Sequence, residues 1–154
     1  MTATAQEDIF GPFLAMQLLT IVVWFYMYSK RLPFLIGYVY KKHKGEMTMD
    51  DVGDPTGRHY ITNITPDAVR NPSDNLKNLF EVPVLFYAMV FYLYTTEKVD
   101  TTYVGAAWTF VMFRCIHSVV HSTFNNVILR WHVYVLSCLA LFFMVVRASI
   151  AHFF

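Results

Sequence analysis

Arg114, His117, His121 and Arg130 fall within one eighteen-residue stretch, FRCIHSVVHSTFNNVILR (residues 113–130), with strongly apolar sequence on either side. Hydrocarbon penalises such side chains, by about 2.5–3.5 kcal/mol for an arginine at a helix centre on insertion scales, so buried charge there calls for a partner or a ligand. Positions i, i+3, i+4 and i+7 share one helical face. Arg114, His117, Ser118 and His121 occupy that face, and Asn125 continues it one turn further. A second stripe, Asp74, Asn78 and Glu81, with Lys77 beside it, has the same spacing, and Arg114 and Glu81 are expected to pair. Arginines presented as fixed, forked donors suit an anionic or zwitterionic ligand. Polar bridges that merely hold membrane helices together would use the same residue types. His117 and His121 also have a helical metal spacing. Serine, not glutamate, follows the first histidine, and no third ligand is close in sequence, so no metal is expected.

The elements that must position these residues are membrane helices. The chain has 154 residues, 56% hydrophobic and only 15% charged, a balance outside the range of soluble domains. A net charge of +1 gives no polyanion footprint, so nucleic acid is not an expected partner. Cys115 and Cys138 lie inside apolar runs and read as buried thiols. Crossing the hydrocarbon core takes about 20 apolar residues. Four segments meet that requirement, at about residues 9–29, 76–95, 102–126 and 131–153, which gives an all-α, four-helix membrane bundle as a single domain.

The connection at about residues 30–75 is the one long loop. It opens with Lys30, Arg31, Lys41, Lys42 and Lys44, and its Pro, Gly and Asp content favours turns. The apolar LPFLIGYVY after Arg31 either extends the first helix or lies at the interface. Positive charge concentrated there puts this loop in the cytoplasm and both termini on the far side. The sequon Asn63-Ile64-Thr65 then faces the cytoplasm and is discounted, and residues 47–60 are placed at the mouth of the site. The membrane would be the inner membrane of a bacterium, or the endoplasmic reticulum or another organelle of a eukaryote. Phe86, Tyr87, Phe91, Tyr92 and Tyr94 read as packing and interface-belt residues, and Arg147 as a snorkelling cation or a contact between protomers.

Two motifs resemble the MAPEG proteins, membrane-associated proteins in eicosanoid and glutathione metabolism. NLKNLFEVPVLFYA carries Asn78, Glu81 and Pro83 in the order of the family's Asn-x-x-Glu and proline. Arg114, His117, His121, Arg130 and Tyr134, spaced +3, +7, +16 and +20 from the first, are similar to the Arg-x-x-His-x-x-x-Tyr…Arg…Tyr pattern of the microsomal glutathione transferases and the microsomal prostaglandin E synthase. The resemblance implies a homotrimer that binds glutathione between protomers at the cytoplasmic side and takes a lipophilic second substrate from the bilayer lipids. It implies glutathione contacts at Asn78, Glu81, Arg114, His117 and Tyr134, with His121 and Lys77 beside them. Arg130 would stabilise the glutathione thiolate. Two positions depart from the pattern. His121 stands where the family usually has tyrosine, and Asp74 where it often has arginine. Those departures leave open a different anionic thiol, or a non-catalytic lipid-binding, accessory or structural subunit of the same fold.

Overall fold

The computed structural model describes residues 6–46 and 65–154. Residues 47–60, and Asn63 and Ile64 of the sequon, lie outside them. The described residues form helices and connecting turns: α1 (Phe10–His43), α2 (Asp67–Leu79), α3 (Val82–Thr95), α4 (Thr101–Ser122) and α5 (Val127–Phe153). α2 and α3 together make one crossing, and among the described residues four helical segments are long and apolar enough to span a membrane.

α1 is longer than the expected first span. Its 34 residues, at 1.5 Å per residue, cover about 51 Å. Pro33 deprives the Ser29 carbonyl of its helical donor, yet the helix continues through the apolar LPFLIGYVY to His43. Lys41, Lys42 and His43 in the last turn complement the helix dipole. Gly45, at φ 72°, closes the helix, with Glu46 N–H on the Lys41 carbonyl and Gly45 N–H on the Lys42 carbonyl. This paired arrangement needs a left-handed residue that glycine adopts without strain. The long loop is correspondingly shorter at both ends, because helix resumes at Asp67.

The break between α2 and α3 follows from Pro83. Proline has no N–H for the Leu79 carbonyl, and its ring clashes with that carbonyl in a continuous helix. α2 therefore ends at Leu79, and α3 restarts at Val82 with proline in its first turn, where a missing donor costs nothing. Glu81 is the hinge residue, at φ −97° and ψ −96°.

α4 and α5 form a hairpin. Asp100 caps α4 by accepting the Tyr103 N–H at 2.9 Å, and Asn126 caps α5 by accepting that of Leu129 at 3.0 Å. At the far end, both oxygens of Asp100 engage Arg147, at 2.8 and 2.6 Å, and the guanidinium also covers the Tyr103 ring. Arg147 is thus paired within its own chain. Arg147's hydrogen bonds, helped by the Tyr103 N–H, hold the Asp100 carboxyl below the usual carboxylate range.

The core joins all four crossings. Met16 from α1, Phe86 and Val90 from α3, Phe110 from α4 and Leu141 and Met144 from α5 are buried together. Phe86 and Phe110 stack at 4.6 Å, and Phe13 meets Tyr87 and Phe91 edge-on. Gly11 permits close approach of α1 to α4: a Cβ there would lie 3.2 Å from the Trp108 ring. Leu14, Leu18, Phe25, Leu139 and Phe142 are among the large apolar side chains left on the outside, as a hydrocarbon solvent allows.

Candidate functional site

α2 meets α4 through asparagines. Asn71, Asn75 and Asn78 stand at i, i+4 and i+7, and each reaches across to the α4 side. Asn75, fully buried, donates to the Ser122 hydroxyl at 2.9 Å and to the Ser118 carbonyl at 3.4 Å, and accepts from the Ser118 hydroxyl at 3.3 Å. Asn71 accepts from Asn125 at 3.1 Å. Asn78 lies 3.3 Å from His121 Nδ1. An amide nitrogen can only donate, so that ring nitrogen carries the lone pair. Each of these polar groups finds its partner across the contact, on α4 or in the loop that follows it, as a buried polar network requires.

This face differs from the expected stripe of Asp74, Asn78 and Glu81, which shares only Asn78 with it. Asp74 pairs with the exposed Lys77 at 2.8 Å. Together they line a cleft of about 290 Å³ that α1 closes with Arg31, Phe34 and Leu35. Glu81 is exposed at the helix break, because the Pro83 interruption takes it off the α2 register. The expected Arg114–Glu81 ion pair is not formed. Among the described residues Arg114 makes no ion pair.

Arg114 is instead enclosed by the hairpin. It is 0% exposed. Its guanidinium carbon lies 4.8 Å from the centroid of Tyr134 and 5.3 Å from that of Phe110. Nη2 donates to the Cys138 sulfur at 4.0 Å, while Nε and Nη1 have no hydrogen-bond partner among the described residues. Ring faces attract a cation. They do not replace the hydrogen bonds that a desolvated guanidinium gives up.

His117 sits one turn along on the same face and is also buried. Its Nδ1 lies 3.1 Å from the Arg130 carbonyl, which can only accept, so Nδ1 carries the proton. Nε2 is left as the acceptor, without a partner among the described residues. The His117 ring packs on Tyr134 at 5.6 Å and meets His121 edge-on at 5.4 Å. The two histidines direct their Nδ1 atoms to different partners, Arg130 and Asn78. Arg130, half-buried in the first turn of α5, donates through Nη1 to Asn125. A cation at a helix N-terminus opposes the dipole, so helix stability does not account for it.

The arrangement is therefore a buried floor of Arg114, His117 and His121 beneath a half-open rim of Asn78, Arg130 and Tyr134. Lys77 and Glu81 lie on exposed surface of the neighbouring crossing. Asn71, Asn75, Ser122 and Cys138 were absent from the expected set. The asparagine spacing, matched by Ser118 and Ser122 at i, i+4, was available in the sequence. Cys138 had no local signal, because its contact with Arg114 crosses the hairpin.

Compared with known proteins, the chain matches the family model of the MAPEG family over residues 9–150. Searches of curated proteins and of solved structures found no match.

Proposed function

The chain belongs to the MAPEG family, a multi-pass membrane family of eicosanoid and glutathione metabolism, and on that premise we propose that it is a glutathione-dependent transferase or peroxidase acting on lipophilic electrophiles. The observation that carries the proposal is Arg114: a cation with no exposure and, among the described residues, no ion pair and two unused donors. A carboxylate of glutathione would supply the missing ion pair and accept from one of these donors. Tyr134, half-buried over the guanidinium, is the side chain that turns aside to admit it.

The remaining roles follow from donor and acceptor chemistry. Asn78, His117 and His121 supply polar contacts, and Glu81 and Lys77 meet the charged groups of the peptide at the exposed edge. Arg130 faces the thiol. A guanidinium favours thiolate over thiol, and the thiolate is the nucleophile. In transfer, the sulfur lone pair forms the new C–S bond and the electrophile's leaving group departs with its electron pair. Glutathione reaches the site from the water phase bordering the α1–α2 connection. The lipophilic acceptor arrives from the bilayer, where the outer faces of the helices are apolar. A homotrimer would close the half-open rim with a neighbouring protomer.

Titration calorimetry with glutathione tests the binding site. We expect affinity to fall by about 10- to 100-fold in Arg114→Ala, the loss of a charge-assisted pair; unchanged binding would remove Arg114 from the site. Conjugation of glutathione to an aryl halide tests the chemistry, and equal turnover by Arg130→Ala would rule out the thiolate role.

One observation favours a second reading, a non-catalytic lipid-binding or accessory protein. Asp74 stands where the family often has arginine and neutralises Lys77 through their ion pair. A carboxylate thus stands where the family often has a cation, and Lys77 beside it is engaged in an ion pair. Absence of any glutathione-induced rise in melting temperature would support this reading over the first.

A further inference from the structure

Asn125 occupies an unusual position in the loop between α4 and α5. Its φ is 46°, in the left-handed region that asparagine tolerates better than most residues. Its backbone N–H closes on the Val120 carbonyl at 2.8 Å, which fixes the turn. The side chain is then used at both ends. Its oxygen accepts from Arg130 Nη1, and its nitrogen donates to Asn71 at 3.1 Å. A guanidinium has only donors, so Asn125 must present its oxygen to Arg130. The amide nitrogen therefore needs an acceptor on the opposite side, and Asn71 provides it. Asn71 is itself buried at 8% exposure, on the face of α2 that packs against α4.

Arg130 is held independently at its backbone. Its N–H reaches the Asn126 carbonyl at 2.9 Å, and its carbonyl accepts from His117. Left to itself, the arginine side chain would retain its rotamer freedom. The positive end of α5 would also push the guanidinium outward. We infer that Asn125 is the positioning residue for Arg130, and that Asn71 locks the amide so that its oxygen faces the guanidinium. The relay joins three parts of the chain: α2, the loop, and the first turn of α5. It rests on the proposed role of Arg130 toward the glutathione thiol, and adds to that role the device that keeps the cation in one place.

The test uses the full-length protein in detergent, saturated with glutathione, and reads thiolate absorbance in the ultraviolet together with kcat and KM. Asn125→Gly keeps the left-handed backbone and deletes the amide; Asn71→Ala removes the second link. Asn126→Ala is the control. It weakens the α5 cap in the same loop without touching the Arg130 side chain. Both relay variants are expected to lower thiolate absorbance and kcat by about tenfold or more, the scale of a displaced catalytic group. KM should stay within about threefold, and Asn126→Ala should leave the thiolate signal intact. Wild-type thiolate absorbance in Asn125→Gly would overturn the inference, as would an equal loss in Asn126→Ala. A wild-type protein that binds glutathione without forming thiolate would overturn the role of Arg130, and this inference with it.

Discussion

The Arg114 guanidinium lies 4.8 Å from the centroid of the Tyr134 ring, inside a hairpin whose two helices both leave it without a counter-ion. A buried cation in that state lowers stability, and replacing it with an apolar side chain of similar reach should restore some. Arg114→Met is therefore expected to melt at the same or a higher temperature than the wild type in detergent, while losing the glutathione-induced rise that the proposed site predicts. A large drop in the ligand-free melting temperature would mean that Arg114 is a structural strut.

Asn75 gives the opposite expectation. It donates twice and accepts once across the α2–α4 contact, so Asn75→Ala leaves Ser118 and Ser122 unpaired. Interhelical hydrogen bonds in membranes are worth about 0.6–1.7 kcal/mol, and a loss of that size is expected in denaturant titrations. Asn75→Asp should cost more, because it buries a carboxylate with no cation beside it. Equal stability of all three proteins would show that the asparagine is dispensable.

The Asp100–Arg147 pair predicts the response to acid. The Asp100 carboxyl is held below its usual range chiefly by its hydrogen bonds from Arg147, so the folded state favours the ionised form. Its contribution is fully present above the pKa of an unfolded aspartate, and disappears as pH falls through the lower, folded-state value. Melting temperature should therefore decline on acidification more steeply for the wild type than for Asp100→Asn. Parallel curves would show that the pair adds nothing.

Asp74 is the departure from the family pattern that charge can test. If glutathione binds at this face, Asp74→Arg removes a repelling carboxylate and frees Lys77 from its ion pair. Affinity should rise about threefold to tenfold at low ionic strength, and the gain should shrink as salt screens it. Salt-independent, unchanged affinity would place the ligand's carboxylates elsewhere.

Helical periodicity in the sequence brought Arg114, His117, Ser118 and His121 onto one face, and the structure buries all four. The same period offered two overlapping faces on α2, residues 71, 75 and 78 or residues 74, 78 and 81. The charged face is the more conspicuous, although uncharged asparagines are the residues that can be buried and satisfied. The helix break at Pro83 then removed Glu81 from either face, an effect beyond the reach of spacing alone. Lys30, Arg31 and Pro33 look like a helix terminus, which leaves extension through LPFLIGYVY as one of two readings of the sequence. Yet the apolar run behind them, closed by Gly45, carries the helix onward. Contacts such as Arg114–Cys138 and Arg147–Asp100 arise only when α5 folds back on α4.

That hairpin has a consequence for how the chain enters the bilayer. α4 has the lowest mean hydropathy of the four crossings, 1.3, and α5 the highest, 2.2. The two are joined by residues 123–126 alone, short enough to pair before either is released into lipid. Tyr134 and Cys138 then cover the guanidinium from α5, and Phe110 from its own helix. The arginine never meets bare hydrocarbon, provided the pair inserts as a unit. Insertion of α4 should thus be assisted by a helix synthesised after it, and truncation before Tyr134 should lower the fraction of α4 found in the membrane.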